Sequence, residues 1–508
     1  MTPKRAAQLV PERAPRSEGR RQQEGRPATV ETAARRVHRL WGGQAGRPAA
    51  GASPARSLVV LCVAFFMVIL DTTIVNVALP SIGAGLRSPV TGLQWVVDGY
   101  TLVFAVLLLG GGSACDRLGA RRVFVVGLAL FTGGSGLCAL APGIDPLVGA
   151  RVIQGVGAAL VLPSSLAVIA SVFSDPKARA RAIGVWAAVA GAATALGPVA
   201  GGLLVDLAGW RSIFLVNLPI GVAALAMAHR RLGETPRRPG GFDGGGQVLA
   251  AGALALVTFG LIEAGSAGWG SAVVVAALGA GIVVGGAFVA IESRVAHPML
   301  PIRLFRSSVF SAANVVGLVL NFGVYGQVFV LSLYFQRARG YSALATGLAL
   351  LPFAAMTVAG PVAVGRLTAR VGARLPMVAG QLCAAAGSAL LAAAGAHTPY
   401  GSLVPGLVAL GVGMALVMPS MTAAVVQAAP GAQAGVASGV LNTARQVGGA
   451  IGVALLGSLV ARGHLVSGMR VGLEAVAAAF ALGALIAWRY AREPRSATCR
   501  VGAPGGAR

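Results

Sequence analysis

The sequence predicts an all-α polytopic membrane protein with fourteen spans, and three observations carry that prediction. Hydrophobic residues make up 56% of the 508 residues and charged residues only 11%, against about 25% charged in a soluble domain. Apolar runs of spanning length recur from residue 58 to 489, separated by short polar segments. The chain also holds 73 glycines, which lets helices approach closely where no hydrophobic force drives them together.

The first 57 residues are rich in Arg, Gln, Pro and Gly and have no apolar core, so no cleavable signal peptide is expected. Val30, Ala33, Ala34, Val37, Leu40 and Trp41 recur at helical spacing opposite Arg35, Arg36 and Arg39. That pattern suits a short helix on the inner leaflet and suits a disordered basic tail equally. The first apolar run, Leu58–Leu79, is roughly 33 Å long at ~1.5 Å per residue, enough to cross a hydrocarbon core of about 30 Å. Asp71 lies inside it, and a charge at that depth costs at least ~2.5–3.5 kcal/mol on insertion scales, so it marks binding or ion movement. Spans are expected at 58–80, 93–112, 123–141, 146–172, 182–205, 212–229, 246–264, 271–291, 309–333, 346–366, 375–396, 402–426, 436–460 and 471–489.

Most of the 41 Lys and Arg fall in the tails and in alternate short loops, among them Arg117, Arg121 and Arg122; Lys177, Arg179 and Arg181; and Arg366, Arg370 and Arg374. This is the positive-inside asymmetry, which places both termini in the cytoplasm and accounts for the net charge of +25 without a nucleic-acid partner. Gly112–Arg121 recurs as Gly365–Arg374 with five identities in ten, each copy following a span and entering a basic loop. The repeat predicts two homologous bundles with a site between them. The domains are then a basic cytoplasmic tail over 1–57, a six-helix bundle over 58–229, a linker with two extra spans over 230–308, a second six-helix bundle over 309–490, and a tail over 491–508.

Absences narrow the mechanism. Neither lysine, Lys4 nor Lys177, ends a Gly-x-x-x-x-Gly-Lys-Ser/Thr loop, which excludes a P-loop ATPase within this chain. The five cysteines have no paired spacing and read as small apolar residues. No metal-ligand cluster, cofactor motif or nucleophile–base constellation is visible, so neither a metal, a cofactor nor an enzyme is expected. Secondary transport driven by an ion gradient remains, with proton and sodium both compatible with carboxylate chemistry.

Several motifs resemble those of the major facilitator superfamily. Gly112-x-x-x-Asp116-Arg117-x-Gly119-x-Arg121-Arg122 is similar to its loop signature, and Arg151-x-x-Gln154-Gly155-x-Gly157 to its fourth-helix motif. Gly191 with Gly197-Pro198 and Gly201-Gly202 resembles the fifth-helix motif of its exporters. Leu70-Asp71-Thr72-Thr73 through Pro80 resembles the first-helix motif of the fourteen-span drug–proton antiporters, as do Gln94-Trp95 with Tyr100, Trp210-Arg211 with Phe214, Asn217 and Pro219, and Ala437-Ser438-Gly439 with Asn442, Arg445-Gln446 and Gly448-Gly449. The resemblance covers nearly everything after residue 57. It implies the major facilitator fold, here two six-helix bundles plus two linker helices, and export of hydrophobic or amphipathic drugs in exchange for protons. Its partners would be a small-molecule substrate, protons and the lipid bilayer of the cytoplasmic membrane, and a monomer is expected. An exporter dedicated to one metabolite fits the same residues, and a non-transporting sensor of the same fold is the reading from another class.

No Asp or Glu occurs between Glu292 and Glu474. Asp71 is therefore the leading protonation site, with Asp98 and Arg151 as its modulators at similar depth in the same bundle. Any cation would have to find its countercharge there, which favours neutral or monocationic cargo. Gly112, Asp116, Arg117, Gly119, Arg121 and Arg122 are the candidate inner gate, and Gly191, Gly197, Pro198, Gly201 and Gly202 the candidate kink. Polar or aromatic candidates for the cavity wall are Asn76, Gln154, Asn321, Tyr325, Gln327, Gln381, Asn442 and Arg445. The last two serve equally as anchors of their span.

Overall fold

A computed structural model of the chain describes residues 53–233, 235, 243–295, 298, 300–429, 433–461 and 465–491. The N-terminal tail through residue 52, with its expected surface helix, and the tail after 491 lie outside the described residues. Fourteen long helices follow one another: α1 Pro54–Leu86, α2 Val90–Leu118, α3 Ala120–Leu140, α4 Ile144–Val172, α5 Pro176–Ala208, α6 Asn217–Arg231, α7 Gly244–Ala267, α8 Ala272–Glu292, α9 Ser308–Leu333, α10 Leu351–Val371, α11 Arg374–Ala392, α12 Tyr400–Ala428, α13 Ala434–Val460 and α14 Leu465–Tyr490. Among the described residues thirteen helical stretches are long and apolar enough to cross a membrane, the sixth of them counted from Ser212 to Arg231, and α10, with 21 residues, stands where the tenth span is expected.

The helices run about a turn past the apolar runs, because hydrogen bonding continues into polar sequence until a residue stops it. Glycines with positive φ do this after α2, α5, α7 and α10, namely Gly119, Gly209, Gly268 and Gly372. Two of them come from the internal repeat. Gly119 (φ 90°) and Gly372 (φ 79°) each turn the chain, with their N–H groups bonded to the carbonyls of Cys115 and Thr368. The shared glycine thus has a conformational reason that other residues meet only with strain.

Two runs differ from expectation. The first does not stop at Pro80: α1 continues to Leu86, so Asp71 sits near its middle rather than close to one end. Proline removes one backbone bond, and neighbouring helices can satisfy the carbonyls it disturbs. Here Gln336 donates to the Val77 carbonyl, 2.9 Å away. The tenth run is broken at Leu350 into a short helix, Ala343–Ala349, and α10, whose first turn holds Pro352.

Helices α1–α6 and α9–α14 pack in the same internal pattern. In the first set α1 lies on α5, α2 on α4 and α3 on α4; in the second α9 lies on α13, α10 on α12 and α11 on α12. The two sets meet through α2 against α13 and through α5 against Ala343–Ala349 and α10. Helix α7 packs against α2 and α13 beside that seam, so it is less peripheral than a pure linker, whereas only 17% of the apolar window of α8 is buried.

Hydrogen bonds join the two sets at the end away from the basic loops. Gln94 donates to the carbonyls of Val453 (3.3 Å) and Ala454 (2.7 Å). Asp206, in the last turn of α5, accepts from the amides of Ala343 (3.2 Å) and Leu344 (3.0 Å), and Gln336 reaches Val77. Gly202 allows the backbone of Ala343 and Leu344 to come close, and Gly347 admits the Pro198 carbonyl. The seam is closed at the end opposite the basic loops.

Candidate functional site

Asp71 is fully buried and held by three side chains from two helices. Arg151 of α4 makes an ion pair with its Oδ2, Gln154 Nε2 lies 3.3 Å from Oδ1, and Asn217 Nδ2 of α6 lies 3.1 Å from Oδ1. All three present N–H donors, so the arrangement satisfies a carboxylate. Arg151 also donates to the Val96 carbonyl (3.0 Å) and to Gln154 Oε1 (2.8 Å), and its guanidinium lies 4.2 Å from the centre of the Tyr100 ring. Ser135 of α3 accepts from Gln154 (2.7 Å) and Asn217 (3.4 Å), and Tyr100 and Thr72 share a hydrogen bond of 3.3 Å. One polar network therefore ties α1, α2, α3, α4 and α6 together in the middle of the first bundle. Glycines make room for it, since a Cβ on Gly134 would strike Gln154 and one on Gly155 would strike the Tyr100 carbonyl.

Of the expected triad, Asp71 and Arg151 come together and Asp98 does not join them. Arg151 touches the Val96–Tyr100 face of α2, and Asp98, two residues from each, lies on the other side of that helix. It sits one turn beyond Gln94, on the side that meets α13. Asp98 is fully buried, and neither carboxyl oxygen has a hydrogen-bond partner among the described residues. The two acids thus occupy opposite environments, one saturated with donors and one without any.

The candidate gate is helical through Leu118, with only Gly119 breaking the chain, so most of the loop signature is the last turn of α2. Arg121 reaches the His229 carbonyl at the end of α6 (3.0 Å), and the Ala120 amide bonds Thr235 Oγ1 in the segment after it (2.6 Å). Asp116 and Arg117 are exposed, and a Cβ on Gly112 would meet open space. The kink glycines divide their work. Gly197 and Gly201 pack α5 onto Thr73 and Ile74 of α1, Gly202 faces the second bundle, and Gly191 packs against nothing.

The residues expected at the cavity wall differ in burial and partners. Gln154 belongs to the Asp71 network. Gln327 and Gln381 are fully buried in the second bundle, where Ser388 donates to Gln327 (3.3 Å) and Gln381 donates to the Val316 carbonyl (3.2 Å). Asn76 is buried and bonds the Thr72 carbonyl (3.2 Å). Tyr325, Asn442 and Arg445 are only partly buried, and Asn321 lies behind them with Oδ1 3.4 Å from Arg445 Nε. Asn217 and Tyr100 entered the sequence reading only through motifs, and Ser135 not at all. A small polar residue in an apolar helix at the depth of Arg151 is the one signal that points to Ser135. Asp206 clamps the two bundles together.

Comparison with known proteins agrees with this architecture. The family model described as Major Facilitator Superfamily matches residues 61–453 and 315–500. The chain is 39% identical to the methylenomycin A resistance protein of Bacillus subtilis, over 85% of this chain and 93% of that one. It is 39% identical to the multidrug resistance protein Stp of Mycobacterium tuberculosis (80% and 75% covered), and 37% identical to the tetracenomycin C resistance and export protein of Streptomyces glaucescens (82% and 78%). Among solved structures, the POT family transporter PepTSo shares the fold with a TM-score of 0.64 at 15% identity, covering 87% of this chain and 98% of that one. The chain belongs to the Major Facilitator Superfamily, and its relatives place it among the drug-efflux transporters of that family.

Proposed function

We propose that this exporter is a proton antiporter of the cytoplasmic membrane, with both termini in the cytoplasm and Asp71 and Asp98 as its proton-coupling acids. The observation that carries the proposal is the contrast between those two carboxyl groups within one bundle. Asp71 is fully provided with donors, one of them Arg151. Asp98 is as deeply buried with none. Burial of an unpaired charge is costly enough that such a group takes up a proton instead. The two acids therefore take different parts in the cycle: Asp98 is the unpartnered acid of this conformation, and Asp71 is freed only when helix movement loosens its pair with Arg151. This order of roles differs from one in which Asp98 merely modulates Asp71.

With the basic loops cytoplasmic, the closed end is external and the cavity is reached from inside. The cargo enters from that side, and rocking of the bundles exposes it to the other. Closure of the basic end then brings Asp116 and the neighbouring arginines towards the second bundle as the inner gate. The resistance and export named for the relatives support an antibiotic or other drug-like amphipathic cargo. A monomer suffices, since each half-site comes from one chain.

Transport of a dye panel by inverted vesicles, with and without a protonophore, tests the coupling. Uptake should collapse with the protonophore and persist when a sodium gradient alone is dissipated. Uptake that follows the sodium gradient and ignores the protonophore would refute proton coupling.

A further inference from the structure

Arg445 is the second arginine within the spans, and its surroundings differ in kind from those of Arg151. It lies 11 residues into α13, roughly 16 Å from the end at Ala434. A cation at that depth faces a cavity or a counter-ion. Arg151 has Asp71, but no acid exists between Glu292 and Glu474, and Glu474 pairs with Arg470 near the far end of the molecule. Among the described residues the hydrogen bonds of Arg445 go to two neutral amides, Asn321 Oδ1 (3.4 Å) and Asn442 Oδ1 (3.2 Å).

Local packing sets the Arg445 side chain between α13 and α9. Gly317, Asn321 and Tyr325 lie at i, i+4 and i+8 on one face of α9, opposite Leu441, Arg445 and Gly449 of α13. Gly317 gives passage to the Arg445 stem, whose Cγ would be 3.2 Å from a Cβ there, and Gly449 gives place to the Tyr325 ring. Arginine only donates, so it fixes the Asn321 amide with Oδ1 inward and Nδ2 turned away. That Nδ2 is fully buried and has no partner. Tyr325 is partly exposed and lies one turn beyond Asn321 on the same face of α9, its ring beside Gly449. The Arg445 guanidinium, the Asn321 amide it holds and the partly exposed Tyr325 thus lie along one α9–α13 face that supplies no negative charge of its own.

We infer that Arg445, Asn321 and Tyr325 form an oxyanion subsite that binds a carboxylate, or an equally acidic oxygen, on the amphipathic cargo. The inference deepens the exporter reading and rests on it for the identity of the occupant. It gives the second bundle a definite role, holding the acidic end of the cargo while the first bundle handles the proton.

The test uses the full-length protein in lipid nanodiscs with the fluorescent acid 1-pyrenebutyrate and its uncharged methyl ester. The parent should bind the acid more tightly than the ester. In Arg445→Gln that preference should fall by roughly tenfold or more, as expected for loss of a charge-assisted hydrogen bond. Asn321→Asp keeps the arginine but supplies the missing counter-ion, and should erase the preference to a similar degree. Tyr325→Phe should reduce it by a few-fold. Equal binding of acid and ester by the parent, no binding of the acid, or an undiminished preference in both Arg445→Gln and Asn321→Asp would each overturn the subsite. Acid binding that behaves as expected, but without gradient-driven movement of the acid in proteoliposomes, would sink the exporter reading and leave the subsite standing.

Discussion

Asp71 and Arg151 are buried to 0% and 1% exposure, and their pairing makes each the condition for the other. Removing one partner leaves an uncompensated buried charge, which costs about 3–5 kcal/mol, whereas removing both is far less costly. Asp71→Asn is therefore expected to lower thermal stability and to abolish gradient-driven export. Adding Arg151→Gln should recover most of the stability and none of the export. Melting curves and vesicle transport on the parent and these two variants read both quantities, and a double variant no more stable than Asp71→Asn would contradict the pairing as described. Asp98→Asn removes no partner, so it should be near neutral for stability while uncoupling transport from the pH gradient. Normal proton-driven transport by this variant would remove Asp98 from the mechanism.

At the scale of the helix, α5 separates two kinds of glycine. A Cβ on Gly202 would lie 2.5 Å from the backbone of Ala343 and Leu344 in the other bundle, and backbone cannot move aside cheaply. Gly202→Ala should therefore hold the clamped end partly open and slow turnover several-fold. A Cβ on Gly191 meets nothing, so Gly191→Ala should transport at close to the parent rate. Spin-label distances between the ends of α5 and α10 report the opening. If they are unchanged by Gly202→Ala, the contact is not a determinant of closure. The Asp206 carboxylate belongs to the same clamp and caps the short helix Ala343–Ala349, a contact of about 0.5–2 kcal/mol by analogy with other caps. Asp206→Ala should shift the same distances in the same direction.

At the scale of the whole molecule, the two halves are alike in packing and unlike in charge. The first copy of the repeat keeps Asp116 where the second has Ala369. Asp116 is exposed in this conformation, while Arg374 lies 4.0 Å over the Trp488 ring within its own bundle. Asp116→Ala should slow transport strongly and Arg374→Ala much less, as measured by initial rates in vesicles at matched protein levels. Equal losses would mean that both loops act only as topological anchors. Charge asymmetry also recasts the cargo. An inventory of acids alone points to neutral or monocationic compounds, yet Arg151 already answers Asp71, and Arg445 has no acid to answer it.

The sequence by itself determined the membrane class, the order of the spans and the internal repeat. Each of these follows from local composition or from order along the chain. Which side chains meet was decided only by the tertiary structure. Asn217 reaches Asp71 from 146 residues away, Gln154, Gln327 and Gln381 turn into bundle cores, and Asp98 faces away from Arg151. Helices such as α1 and α4 are apolar on all sides, so no hydrophobic stripe indicates which face is buried in the bundle and which lines the seam. Their polar residues could be assigned to a span from sequence, but their direction depends on how the neighbouring helices pack around them.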